Sequence, residues 1–416
     1  MLNIYNSLTR KIEPFQPKED KQVKMYTCGP STYQAPHIGN YRTFLFEDIL
    51  QRYLEYLGYK VTRLITLTDV EDKAIEQAVK EGLSVAELSS KNEKIFFDDF
   101  KLLNIKPPDF AVRASTAVDQ AVLLISKLVD CGVAYYYCYR GEDNVYFDPL
   151  KFEGFGKLAQ LDMSKWPKKR RRFHKDTYPG TPWNMGDFIL WHGCPKSDVC
   201  YKTRVGVGRP AWNVQDPAIV TKYLGFEVDV ACGGVDNLVR HHDYVIAVAE
   251  SVSGRQFARY WLHGAHLYVE GQKMSKSKGN VYYPKDLVAK GYSGEQVRFF
   301  LIYGYYRKTL NFTFESFAAI AKKLDDFKEM VAKLQKTQPK PKLSSEAVKA
   351  LSDKIISGFE AAMNDNLDVK SAFDSLYETI TELDELKEEI SVEDKNEVAA
   401  NLRRVDTVLQ LGLGFC

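Results

Sequence analysis

A chain of 416 residues, 45% of them hydrophobic and 13% aromatic, can bury a large core, divides into two or three domains, and is no disordered tail. No apolar stretch approaches the roughly 20 residues that span a bilayer, and the opening MLNIYNSLTRKIEPF lacks the apolar run of a secretion signal, so a cytoplasmic protein without membrane contact is expected. Seven cysteines, an odd number with no C-x-x-C pair, argue against a disulfide framework or a zinc ribbon and for buried thiols. The formal charge of +2 hides an asymmetry: residues 311–416 hold 14 Lys and Arg against 20 Asp and Glu, whereas the rest holds 43 against 35. Any phosphate contact is therefore expected on the body of the chain and not on its acidic end.

Residues 24–28 form a short apolar run expected to be a buried strand, followed by a Gly/Pro-punctuated loop that enters His37-Ile38-Gly39-Asn40. Beyond it, Phe44, Phe46, Ile49, Leu50, Tyr53, Leu54 and Leu57 recur at helical spacing up to Gly58, and residues 60–67 form a second strand. Strand, helix and strand at this spacing make a βαβ unit of a parallel sheet, which binds ligands at the carboxyl ends of its strands. His37 and Thr68-Asp69 are then expected on one rim. Residues 80–130 are expected to be helices interrupted at Pro107-Pro108, and from Cys131 to Trp191 short Tyr-rich strands suggest an insertion. Residues 226–231 and 265–269 are expected as later strands of the same sheet, and 295–306 as a helix. After Asn311 the pattern is helical, with a Pro/Lys linker at 338–342. The expected organisation is α/β: residues 1–130 and 206–310 form two halves of a Rossmann-type domain, 131–205 a connective insertion, and 311–416 an α-helical bundle.

Two short motifs stand far apart: His37-Ile38-Gly39-Asn40, and Lys273-Met274-Ser275-Lys276-Ser277. Each is weak alone. Their order and surroundings are those of a nucleotide site closed by two separate loops, and the nucleotide expected there is ATP.

With further segments these motifs carry a resemblance. Cys28-Gly29-Pro30-Ser31, Leu67-Thr68-Asp69-Val70-Glu71-Asp72-Lys73, Asp187-Phe188-Ile189-Leu190-Trp191, Gly208-Arg209-Pro210-Ala211-Trp212 and Ala362-Met363-Asn364-Asp365-Asn366 complete the set. The chain resembles the cysteinyl-tRNA synthetase family of class I aminoacyl-tRNA synthetases through nearly its whole length. The resemblance implies adenylation, in which an amino-acid carboxylate attacks the α-phosphate of ATP and pyrophosphate leaves. It implies catalytic roles for His37, Asn40, Lys273 and Lys276, as donors or cations where phosphoryl charge develops. Gly39, Gly234, Asp236, Ser275 and Ser277 would bind the nucleotide, with Asp236 on its ribose and Mg2+ accompanying it. Cys28, Gly29, Ser31, Thr68, Trp212, Asp216 and His241 would bind the amino acid.

The amino-acid side departs from the family. Family members hold Zn2+ with two cysteines, a histidine and a glutamate; the matching positions here are Cys28, Asp216, His241 and Val245. The resemblance thus implies at most a degraded three-ligand Zn2+ site of Cys28, His241 and Asp216; a hydrogen-bonded histidine pair beside a buried thiol is the alternative. Asn213 and Ala231 replace two further substrate-side histidines. An anionic Asp216 on the pocket floor is expected to favour an amine or hydroxyl side chain, and Trp212, Tyr33 and Trp191 to restrict its size. Cysteine is not expected to be the preferred substrate.

The chain stops close to where the family's bundle ends, so no anticodon-reading module is expected. The expected acceptor is non-standard, such as a small-molecule amine; a carrier protein and a tRNA acceptor stem are the other candidates. Lys168-Lys169-Arg170-Arg171-Arg172, flanked by Trp166 and Phe173, keeps RNA among them. Two alternatives stay open: a genuine cysteine–tRNA ligase with an atypical pocket, and a catalytically silent paralogue that binds nucleotide or tRNA. A monomer is favoured.

Overall fold

Five parallel strands form the sheet that carries the site: β1 (Gln22–Thr27), β2 (Lys60–Leu67), β3 (Phe110–Arg113), β4 (Val228–Gly234) and β5 (Ala258–Gly264). The structure, a computed structural model, describes residues 1–176, 185–194, 199–238, 240–275, 278–337 and 345–414. Strand order is β5-β4-β1-β2-β3, and every pairing is parallel. From β1 the chain winds outward through β2 to β3, then returns to the other side of β1 for β4 and β5. Connections therefore leave in opposite directions between β1 and β4, which opens a crevice at the carboxyl ends of these two strands.

Apolar β2 is buried over most of its length, as a strand covered on both faces must be. Helix α1 (Ile38–Tyr56) crosses the sheet with Phe44, Leu45, Ile49, Tyr53 and Leu54 buried. It ends where Gly58, at φ 87°, reverses the chain into β2.

Two of the expected strands and helices need correction. Residues 265–269 are not a strand of this sheet. The edge strand is β5, and the chain leaves it at Gly264, whose missing Cβ makes room for the Phe46 ring. Leu267–Val269 instead pairs antiparallel with Gln272–Lys273 and parallel with Leu310–Phe312, forming a separate three-stranded sheet. The stretch 80–130 is not helical throughout: β3 follows Pro107-Pro108 and closes the sheet edge between helices Val85–Leu102 and Val118–Asp130.

The insertion is an antiparallel sheet of Ala134–Tyr139, Glu142–Phe147, Phe188–Gly193, Gly206–Pro210 and Tyr201–Thr203, in that order. Its strand Gly206–Pro210 runs directly into helix α2 (Trp212–Tyr223). Cys194 and Cys200 are joined by a disulfide, and Cys131 and Cys138 are exposed, so buried thiols are not the rule expected from the sequence.

Helices Phe314–Lys336, Glu346–Asn364, Val369–Glu385 and Val392–Leu409 build the bundle. The linker expected at 338–342 lies outside the described residues. One apolar core runs from the α1 face of the sheet into the bundle. Fully buried Arg298 fastens the junction: it donates to the carbonyls of Leu409, Leu103 and Asn104 at 2.7, 3.0 and 3.1 Å and to Asp48 at 2.6 Å. A buried guanidinium needs this many partners to offset its desolvation.

Candidate active site

The crevice begins at the N-terminus of α1. His37 is the N-cap: its Nδ1 accepts the backbone N–H of Gly39 at 3.1 Å and of Asn40 at 3.3 Å. Asn40 answers by accepting the His37 N–H at 3.0 Å. The motif thus builds a reciprocal capping box, with the helix dipole pointing at the same place. Gly39 packs closely against the second motif: a Cβ there would press on the Met274 methyl group and on the His37 ring.

Lys273 arrives on the hairpin strand Gln272–Lys273, paired with Tyr268. Ser275 is held by Asn280, whose Oδ1 accepts its N–H at 2.8 Å. Lys276 and Ser277 lie outside the described residues. The two motifs meet around a cavity of about 130 Å3 lined by His37, Gly39, Asn40, Gly234, Asp236 and Lys273, together with Thr43, His266 and Met274. Burial, and to a lesser degree Lys273, lowers the His266 pKa, although Asp236 pulls it up.

A second cavity, about 190 Å3, shares Asn40, Thr43, Gly234 and Asp236 with the first. Its remaining walls include Cys28, Gly29, Ser31, Thr68, Trp212 and His241. Gly29 admits no side chain, because a Cβ would strike the Thr66 carbonyl, and its N–H donates to Thr66 Oγ1 at 3.2 Å. Ser31 hydrogen-bonds Glu71. Two adjoining cavities with a common wall suit a reaction between two substrates.

Asp216 does not line this second cavity. It is 1% exposed and lies behind His241: Tyr26 OH donates to its Oδ2, and His241 Nε2 lies 2.9 Å from that same oxygen. Cys28 Sγ lies 3.3 Å from His241 Nε2, and Trp212 stacks on the His241 ring at 4.5 Å. Burial pushes the Asp216 carboxyl up, but hydrogen bonds from His241 and Tyr26 outweigh it and hold its pKa below the usual range. Burial and then the Asp216 charge push the Cys28 thiol up. The expected anionic floor is therefore corrected: the carboxylate is already bonded to protein groups. Trp191 is also not a wall of the pocket, being wholly buried in the core below the insertion.

His242, adjacent to His241, belongs to a different chain of contacts. Its Nδ1 lies 2.8 Å from His263 Nε2, whose Nδ1 lies 2.8 Å from Ser7 Oγ. Burial depresses both rings, His263 to about 3.

The insertion's basic run is partly committed to the protein. Arg170 pairs with Asp148 at 2.6 Å and Asp187 at 3.2 Å, and Arg172 donates to Tyr135 OH at 2.8 Å while lying 3.8 Å from the centre of the Tyr137 ring. Trp166 is buried against Phe155 and cannot stack on a base. Lys168, Lys169 and Arg171 are exposed. At the base of the insertion, Arg209 bridges Asp72 and Asp176, and His192 lies 2.7 Å from Asp176.

Thr43, His266, Glu71 and Tyr26 were not singled out from the sequence. Thr43 could have been, because it stands four residues after Gly39 and so shares its helix face. Tyr26 gave no signal, as an aromatic in a buried strand is ordinary core. A larger cavity of about 400 Å3 opens at the opposite ends of the strands, but its Lys18 and Arg255 are both paired with Glu227.

A doubly wound parallel sheet, an anion-binding helix start and a lysine hairpin closing on it are the fold and site of a class I synthetase. Residues 14–323 match the family of class I (C) tRNA synthetase catalytic domains. A cysteine–tRNA ligase of Chlamydia pneumoniae is 37% identical over 98% of this chain and 86% of its own length. One of Koribacter versatilis is 36% identical over 92% of this chain and 76% of its own. Among solved structures, Mycobacterium tuberculosis methionyl-tRNA synthetase bound by methionyl-adenylate has the same fold, with a TM-score of 0.66 at 16% identity over 93% of this chain and 90% of that one. The chain belongs to the cysteinyl branch of the class I aminoacyl-tRNA synthetases and is an ATP-dependent ligase.

Proposed function

We propose that this ligase forms an aminoacyl-adenylate from an amino acid other than cysteine. The observation that carries the reading is the contrast between the two cavities. His37, Asn40 and Lys273 line one, together with Asp236, while behind the Cys28 and His241 wall of the other lie buried Asp216 and Val245, where the family has metal ligands.

ATP occupies the first cavity with its phosphates at the α1 N-terminus. Because His37 Nδ1 accepts from the backbone, its proton sits on Nε2, which donates to a phosphoryl oxygen. Lys273 supplies positive charge from the facing hairpin, and Asp236 accepts from the ribose hydroxyls. Mg2+ bound with ATP would neutralise charge on the triphosphate, and Asp236, the carboxylate on that cavity's described wall, would be available to it. The amino-acid carboxylate enters from the second cavity, attacks the α-phosphorus beside Thr43 and Gly234, and pyrophosphate leaves.

ATP–pyrophosphate exchange over a panel of amino acids tests this. The expected result is exchange with a small amino acid other than cysteine; exchange with cysteine alone defeats it. For the second step the acceptor we favour is a small amine, since two of the five cations in the insertion's basic run, Arg170 and Arg172, are paired with Asp148, Asp187 and Tyr135, which leaves Lys168, Lys169 and Arg171 for phosphate contact. The second reading is transfer to tRNA, supported by the cysteine–tRNA ligases that the chain matches over 86% of their length. Aminoacylation assays with tRNA and with small amines separate the two.

A further inference from the structure

We infer that the amino-acid pocket works without a metal ion and that the hydrogen-bonded group Tyr26–Asp216–His241–Cys28 stands in for it. This rests on the adenylation reading above for the pocket's location, but not on which amino acid is activated.

The argument is geometric. Zinc with nitrogen, oxygen and sulfur ligands at about 2.0–2.3 Å holds those atoms roughly 3.3–3.8 Å from one another around a central void. His241 Nε2 and Asp216 Oδ2 are instead 2.9 Å apart, a hydrogen-bond distance, and Tyr26 OH donates to that same oxygen. An ion could enter only by breaking both bonds. The neighbouring positions offer no replacement: Val245 is fully buried and apolar. Cys28 faces the group with its Sγ 3.3 Å from His241 Nε2, the same nitrogen that Asp216 holds.

Cys28, His241 and His242 do place ligand atoms within 4.8 Å of one another. His242 Nδ1 is held at His263, and the Cys28-facing nitrogen of His241 is the one held by Asp216. His241 Nδ1 has no hydrogen-bond partner among the described residues. The surface offered to a substrate side chain is then the Cys28 sulfur and the His241 ring edge beneath Trp212. That surface fits a small side chain and holds it by contact and hydrogen bonding in place of a metal bond. Selection by thiolate coordination, which excludes the hydroxyl analogue, is lost with the metal.

Metal content of the full-length protein, purified without chelator and then exposed to excess Zn2+ and desalted, is the test. Less than about a tenth of a zinc per chain is expected, against about one for a complete four-ligand site. Loading with Co2+ should give no thiolate charge-transfer band in the wild type, and should give one in Asp216→Cys/Val245→Glu, which restores the ligand types. Asp216→Cys alone serves if the double variant does not fold. Stoichiometric zinc that is lost on Cys28→Ser or His242→Asn overturns the inference. These readings do not depend on turnover: zinc present alongside exchange with another amino acid refutes only the metal-free pocket. Absence of both zinc and exchange refutes only the adenylation reading.

Discussion

The backbone N–H of His37 is held by Asn40 Oδ1 at 3.0 Å, while the Asn40 N–H donates back to His37 Nδ1. Asn40 therefore does structural work for the first motif besides lining the cavity proposed for ATP, and the two roles separate by substitution. Asn40→Ala should lower stability by about 1 kcal/mol, the usual worth of a cap, and raise the KM for ATP. Asn40→Asp should keep the melting temperature, because its carboxylate still accepts the His37 N–H, yet lower kcat by placing negative charge beside the phosphates. Equal melting temperatures for Ala and Asp variants would contradict the capping role.

Gly39 faces the Met274 methyl group across the first cavity, so a Cβ at 39 must push that side chain aside. Gly39→Ala should weaken exchange on the order of tenfold to a hundredfold, as small misplacements of reacting groups do. Met274→Ala in the same chain should recover part of the loss. Additive losses in the double-mutant cycle would show that the contact is immaterial.

Arg298 and Asp48 form a buried pair at the junction of sheet and bundle. Arg298→Ala should cost about 3–5 kcal/mol in denaturant unfolding, since it leaves the Asp48 carboxylate short of a partner in the interior. Arg298→Met/Asp48→Asn should unfold later than Arg298→Ala, because it removes the stranded charge and refills the volume.

Asp243 ties helix His241–Ser253 to the insertion by accepting the N–H groups of Leu158 and Ala159 at 3.1 and 3.2 Å. Burial, the dominant influence, raises its pKa to about 7, above the value of 3.8. The folded state then binds the proton more tightly than the unfolded chain. Its contribution is fully present below about pH 4 and is lost as pH rises through about 7, on the order of a few kcal/mol. Asp243→Asn should flatten that part of the stability profile. An unchanged slope between pH 4 and 7 would place the titrating group elsewhere.

In the insertion, the exposed and committed cations should behave oppositely. Lys168→Ala/Lys169→Ala/Arg171→Ala should leave the melting temperature in place and, if tRNA is the acceptor, lower the salt slope of binding by roughly 0.7–0.9 per lost phosphate contact. Arg170→Ala should lower the melting temperature, since Asp148 and Asp187 lose their shared partner. Filter binding across a salt series together with thermal melts distinguishes the two groups.

The βαβ start of the fold was legible because period and punctuation agree there: residues 60–67 are β2 with the expected ends, and α1 ends where Gly58 said it would. The strand β5 was not legible, because Arg259 interrupts its apolar pattern and the next run, Leu267–Val269, looks equally strand-like. Only tertiary pairing distinguishes them. The site divides in the same way. His37 and Lys273, expected at one site from the order and surroundings of their motifs, do line one cavity. The partners of Asp216 could not be named, since Tyr26 and His241 reach it across separations of 190 and 25 residues.

Lys273 is anchored at a distance. Its hairpin is one edge of a small sheet whose other edge, Leu310–Phe312, leads directly into the first bundle helix, and Asn311 Oδ1 accepts the Gly271 N–H at 2.7 Å. The position of the lysine is thus set jointly by the hairpin and by the start of the bundle, and a substitution at the base of that helix reaches the first cavity through two backbone pairings.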